Sequence, residues 1–204
     1  MIERELIVSV VLFSLRDDQL QVLLTEHGGA WELPAASVSG SEALEETANR
    51  TIARLLDRRK TYLEQLYTYG GQASVMVAYF AILPAGAHLT SDTSGWQPAD
   101  HLPPLAAGHD EVIAYALRRL RYKLEYSAVG FQLLPEEFSM SELQHTYEII
   151  LGEQLDKRNF RRRMFQSGII EETLRQRTGE GRPARLYRYR PDAVAEVKAR
   201  RLFP

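Results

Sequence analysis

The stretch 139–168, SMSELQHTYEIILGEQLDKRNFRRRMFQSG, decides the fold of the C-terminal part of the chain. Ser139-Met140-Ser141-Glu142 has the form of a capping box, in which the Ser139 hydroxyl takes the N3 amide and Glu142 reaches back to the Ser139 amide. Leu143, Tyr147, Ile150 and Leu151 then recur on one helical face, and Gly152 stands where a helix ends in a left-handed residue. Asp156 is a good N-cap for a second, shorter helix over 157–166, which Gly168 terminates. Downstream, 169–174 and 186–189 read as two strands about the turn-rich Thr178-Gly179-Glu180-Gly181-Arg182-Pro183. Helix, turn, helix and β-hairpin is the order of a winged helix.

On the second helix, Phe160 and Met164 make the apolar stripe, Arg158 and Arg162 lie opposite, and Asn159 and Arg161 flank them. The face turned outward is therefore guanidinium and amide. Residues 157–201 carry 14 Lys+Arg against five acids, a net +9, whereas residues 1–135 carry 11 against 16, a net −5. A polyanion partner is expected for the C-terminal part alone. Arginine pairs bidentately with guanine edges and asparagine with adenine, in a major groove wide enough for one helix. Lys157 and Arg163, nearer the apolar stripe, would reach phosphates. Arg182 and Arg185 on the wing would do the same, with Gly179 and Gly181 allowing close backbone approach, and Lys198, Arg200 and Arg201 would add to the field. Double-stranded DNA is the expected partner. A basic helix that only solubilises a dimer is the plainer alternative, but it does not require cap, amphipathicity, charge and wing to agree.

N-terminal to this region the pattern changes. Leu6 to Leu15 is dense in Ile, Val, Leu and Phe, Arg16-Asp17-Asp18-Gln19 interrupts, and Leu20 to Leu24 resumes, which reads as a hairpin. Leu44, Ala48, Ile52, Leu55 and Leu56 mark one face of a helix, Val75 to Leu83 a further strand stopped by Pro84, and Val112, Ile113, Ala116, Leu117, Leu120 and Leu124 a long helix. The stretch from Ala85 to His109 reads as irregular loops around a short strand. The fold class is α+β, a mixed sheet with helices followed by the winged helix. The border falls between 127 and 136, giving domains 1–130 and 131–204.

Composition restricts the chemistry. With no cysteine among 204 residues, disulfides, thiolate zinc sites and cysteine nucleophiles are excluded. No apolar run is long enough to span a bilayer and the start lacks a signal peptide's form, so a soluble cytoplasmic protein without a membrane partner is expected. His27, His88, His101, His109 and His145 show no ligand spacing, and no metal is assigned to them.

Gly40, Glu46 and Arg54 stand in the frame of a Nudix box, G-x5-E-x7-R-E-U-x-E-E-x-G-U, and Trp31-Glu32-Leu33-Pro34 resembles the approach to that box. The first domain is thus similar to a Nudix fold. The resemblance fails where the chemistry resides: Leu55, Arg58 and Arg59 occupy the positions of three glutamates, and Thr61 that of the closing glycine. Those glutamates hold Mg²⁺, a hard cation that needs carboxylate oxygens, so no catalytic residue, cofactor or metal is expected. Arg54 and Arg58, four residues apart, share a helix face and turn it cationic, which suits direct pairing with a diphosphate. Trp31 is a candidate to stack on a base or sugar, although a tryptophan beside Leu33-Pro34 is more often core.

The whole chain resembles the Nudix-related transcriptional regulators that control NAD metabolism in bacteria. The likeness is carried by Tyr62 to Gly70, Phe138 to Gly152, Leu155 to Arg162 and Gly181 to Tyr187. It implies a homodimeric repressor whose Nudix-like domain senses a small-molecule effector, ADP-ribose or a related NAD metabolite, and releases operator DNA. Relatives of the same architecture that respond to sugars supply one alternative, and a constitutive DNA-binding protein with a Nudix relic another. A Nudix-type nucleotide-diphosphate hydrolase is the alternative from a different class, and it would need the missing carboxylates, with only Glu46, and Glu42 or Glu45 as weak substitutes, left in the box region.

Overall fold

Asp17 and Asp18 have φ of 50° and 56°, and two successive left-handed residues are what a two-residue hairpin loop requires. They join β1 (Glu5–Arg16) to β2 (Gln19–His27), with Arg16 opposite Gln19 and Phe13 opposite Val22. The computed structural model describes residues 4–56, 61–71, 73–84, 86–90, 93–106, 108–124, 127–178 and 183–190.

From Val8 to Ser14 every residue of β1 is buried, the signature of a strand covered on both faces. β1 pairs in parallel with β6 (Ser74–Leu83) from Glu5 opposite Ser74 to Ser14 opposite Leu83. β5 (Tyr62–Gly70) runs antiparallel to β6 and ends that side of the sheet. β3 (Ala30–Glu32) and β7 (Ser94–Pro98) pair with β2, and β4 (Ala35–Ser37) with β1, completing a seven-stranded mixed sheet. Helix α1 (Leu44–Leu55) packs Ala48, Ile52 and Leu55 onto Val8, Val10 and Leu12 of the sheet. Helix α2 (His109–Leu124) buries Val112, Ile113, Ala116 and Leu120. Its start is tied down by the Leu33 amide, which donates to His109 Nδ1 at 3.0 Å. Burial pushes the His109 pKa below its ordinary value, which favours the neutral ring whose Nδ1 can accept.

The second half begins with a 3₁₀ turn, Ala128–Leu133, and continues through β8 (Glu137–Ser139), α3 (Met140–Leu151), α4 (Lys157–Ser167), β9 (Ile170–Arg177) and β10 (Ala184–Tyr189). The three strands form an antiparallel sheet in the order β8-β10-β9. The capping box is present as expected: Ser139 Oγ accepts from the Glu142 amide at 3.2 Å and Glu142 Oε2 from the Ser139 amide at 2.7 Å. Gly152 and Gly168 close α3 and α4 in the left-handed region, with φ of 76° and 66°. Between the helices, Glu148 Oε1 accepts from Gln144 Nε2 and from the Leu155 amide, each at 2.9 Å, so one carboxylate sets the turn. The core gathers Phe138, Leu143, Tyr147, Ile150, Phe160 and Met164, with the Tyr147 and Phe160 rings edge to face at 5.5 Å.

The chain divides into two compact units, Met1–Leu117 and Arg118–Pro204, so α2 contributes residues to both. In the second unit, Arg121 Nε donates to the Ile150 carbonyl at 2.7 Å. Three strands exceed what periodicity indicates: Tyr62–Gly70 is a strand, and the two wing strands extend to Arg177 and back to Ala184. No residue of Tyr62–Gly70 is fully buried and most of β9 is exposed, so apolar alternation is weak there. Among the described residues no helix is long and apolar enough to cross a membrane.

Candidate functional site

α4 is built to present one face. Asp156 Oδ1 accepts from the Asn159 amide at 2.8 Å and fixes the first turn, while Phe160 and Met164, 2% and 0% exposed, anchor the inner stripe. Lys157, Arg158, Asn159 and Arg162 are exposed, and Arg161 and Arg163 are half-buried. Lys157, expected nearer the stripe, stands as open as the outward arginines, because it occupies the first position of the helix. Gln166, four residues after Arg162, is also exposed and extends the same amide-bearing face; helical spacing alone places it there.

The wing hairpin spends its arginines differently. Arg188 pairs with Glu171, its direct cross-strand neighbour, and Arg177 with Glu142. Arg175 lies 3.3 Å from Glu137. Arg185 Nη1 lies 3.1 and 3.2 Å from the two carboxylate oxygens of Glu172, so this expected DNA contact is already engaged within the hairpin. By contrast, none of Lys157, Arg158, Arg161 and Arg162 is in an ion pair with another described residue. Among the described residues of the C-terminal part, these four cations without an acidic partner all stand on α4. Arg161 and Arg185 line one cleft of about 470 Å³ together with Ser139, Ser141 and Tyr187. Arg182, Gly179, Gly181, Lys198, Arg200 and Arg201 lie outside the described residues.

In the first unit the remnants of the box serve the fold. Glu46 Oε2 accepts from the Ala43 amide at 3.0 Å, capping α1, and alanine at the N-cap returns no side-chain bond. Glu42 is clamped by Arg50, whose Nε and Nη2 lie 2.9 and 2.7 Å from its oxygens, with Thr47 Oγ1 donating at 2.9 Å. The Arg50 hydrogen bond, above all, holds the Glu42 pKa down to about 2. Leu55, at the first missing glutamate, is packed in the core and not turned to solvent. Arg54 is exposed in the last turn of α1, where its carbonyl accepts from Thr90 Oγ1 at 3.1 Å. Arg58 and Arg59 lie outside the described residues. Trp31, half-buried on β3, lies against Gly95 of β7: a Cβ at Gly95 would come within 3.3 Å of the indole. Among the described residues no three His, Asp or Glu are placed to hold a metal ion.

Comparison with known proteins agrees with both halves of this arrangement. Residues 130–189 match the NrtR DNA-binding winged helix domain. The ADPR responsive transcriptional repressor NtrR of Acinetobacter baylyi is 34% identical over 201 residues, covering 89% of this chain and 80% of that protein. The crystal structure of Shewanella oneidensis NrtR complexed with a 27mer DNA superposes with a TM-score of 0.83 at 35% identity, covering 96% of each chain. The NUDIX domain of the same Shewanella protein, complexed with ADP ribose, matches at 34% identity and a TM-score of 0.50 over 58% of this chain and 89% of that one.

Proposed function

The chain belongs to the NrtR family of Nudix-related transcriptional regulators, and from that premise we propose that it is a repressor that binds operator DNA through α4 and releases it when the Nudix-like domain takes up ADP-ribose. The observation that carries the reading is the outward face of α4, where Lys157, Arg158, Arg161 and Arg162 have no acidic partner among the described residues while the arginines of the wing strands do. Unpaired guanidinium groups on a capped helix suit phosphates and guanine edges. Residues 131–204 form the DNA-binding part and residues 1–130 the sensor. Arg158 and Arg162 face the bases with Asn159; Lys157, Arg161, Arg163 and Arg182 face the backbone, and Arg185 reaches it by exchanging Glu172 for a phosphate.

ADP-ribose as effector is supported by the relatives from Acinetobacter and Shewanella. Arg54 and Arg58 supply charge to its diphosphate, and Trp31 borders the site. The sensor does not hydrolyse the ligand, since Leu55 is core and Glu42 and Glu46 are engaged elsewhere. The protein acts as a cytoplasmic homodimer, because one helix reads only a few base pairs and a palindrome joins two half-sites.

Selection of duplexes from a random-sequence pool by the full chain is the test. Enrichment of a two-fold symmetric sequence is expected. The Arg158→Ala, Arg162→Ala double variant, correctly folded, should lose preference for it by about 10-fold or more, each bidentate base contact being worth about 1–3 kcal/mol. A double variant that enriches the same sequence with equal affinity removes α4 from the reading role.

A further inference from the structure

The reading face of α4 carries one side chain whose chemistry is neither charged nor polar. Phe165 is 49% exposed, three residues after Arg162 and seven after Arg158, spacings that put all three on neighbouring positions of the outward surface. Its ring is not loose: it meets the Tyr187 ring edge to face, with centroids 5.6 Å apart, and Tyr187 is itself 4% exposed. One side of the phenyl ring is thus braced on β10 and the rest is left in water. A half-exposed phenyl ring on a surface otherwise made of arginine and amide leaves apolar area in water, and covering that area with another apolar group is favourable.

A duplex offers one apolar group in its major groove, the 5-methyl of thymine. The other groups there are hydrogen-bond donors and acceptors, which the neighbouring Arg158, Asn159 and Arg162 suit. We propose that Phe165 is a specificity-determining residue that packs on a thymine methyl in each half-site, next to the base pairs read by Arg158 and Arg162. The inference rests on α4 being the DNA-reading helix and adds to it a base identity and the residue that selects it. Bracing by Tyr187 matters because a ring already held in place loses little side-chain freedom on binding.

The test replaces single thymines by deoxyuridine, which pairs identically and lacks only the methyl, in the duplex enriched by the full chain. For wild type, replacement at one thymine of a half-site should weaken binding about fourfold, the loss expected for about 0.8 kcal/mol of buried methyl. Phe165→Ala should bind the thymine and deoxyuridine duplexes alike, and Phe165→Leu, which keeps an apolar side chain, should retain part of the discrimination. The leucine variant also preserves contact with Tyr187, so it keeps the test valid should the alanine variant melt early. An enriched duplex in which no thymine methyl matters, or a Phe165→Ala protein that discriminates as wild type does, overturns the assignment of Phe165 and leaves the DNA reading intact. A pool that yields no enriched sequence overturns both.

Discussion

Arg50 reaches Glu42 with two nitrogens, and the pair is only 31% and 20% exposed, so it is one of the few ion pairs here shielded enough to matter. The Glu42 carboxyl sits at about 2 against an ordinary 4.5. A carboxyl whose pKa is lowered by folding stabilises the native state above its unfolded value, and that contribution fades as pH falls from about 4.5 toward about 2. Arg50→Ala should therefore melt earlier than wild type at neutral pH, and the difference should narrow between about pH 5 and about pH 3. Thermal melts across that range check it; a deficit that stays constant with pH would mean Arg50 acts through packing alone. At this scale the sequence was only half legible. The loss of carboxylates at Leu55 was visible in the frame of the box, but the fate of those remaining was not, because Glu42 finds Arg50 two helical turns away across a cap. Arg185 shows the same limit: its partner Glu172 depends on a register shift between Arg185 and Tyr187 that no local pattern announces.

At the scale of elements, legibility follows locality. The starts and ends of α3 and α4 were readable because Ser139, Glu142, Gly152, Asp156 and Gly168 act within one turn of where they stand. β5 was not readable as a strand, since an edge strand with one covered neighbour shows only weak alternation. The 3₁₀ turn is likewise set by packing. A Cβ added at Gly130 would lie 2.9 Å from both Leu124 Cδ2 and Tyr147 Cε2, and Tyr147 is fully buried. Neither side chain has room to yield, so Gly130→Ala should destabilise the winged helix by about 1–3 kcal/mol. Chemical denaturation followed by tyrosine fluorescence reads this directly. Unchanged stability would show that the turn can move away from Tyr147, and the glycine would then have no steric role.

The whole molecule joins a winged helix whose α4 presents Lys157, Arg158, Arg161 and Arg162 to a Nudix-like unit in which Leu55 is core and Glu42 and Glu46 hold the start of α1. Charge asymmetry and element order made the winged helix legible from sequence, whereas the sensor's ligand rests on relatives and on the cationic turn of α1. Linkage makes the joint claim measurable. An effector lowers DNA affinity only by its differential affinity for the free and DNA-bound states, so release must scale with ligand binding. The most direct measurement is fluorescence anisotropy of the enriched duplex, labelled and saturated with the full chain, titrated with ADP-ribose in the presence of EDTA. The account predicts that anisotropy falls to the value of the free duplex and that the chelator makes no difference. Anisotropy that stays at the bound value at saturating ADP-ribose, or that falls only when Mg²⁺ is supplied, would contradict it.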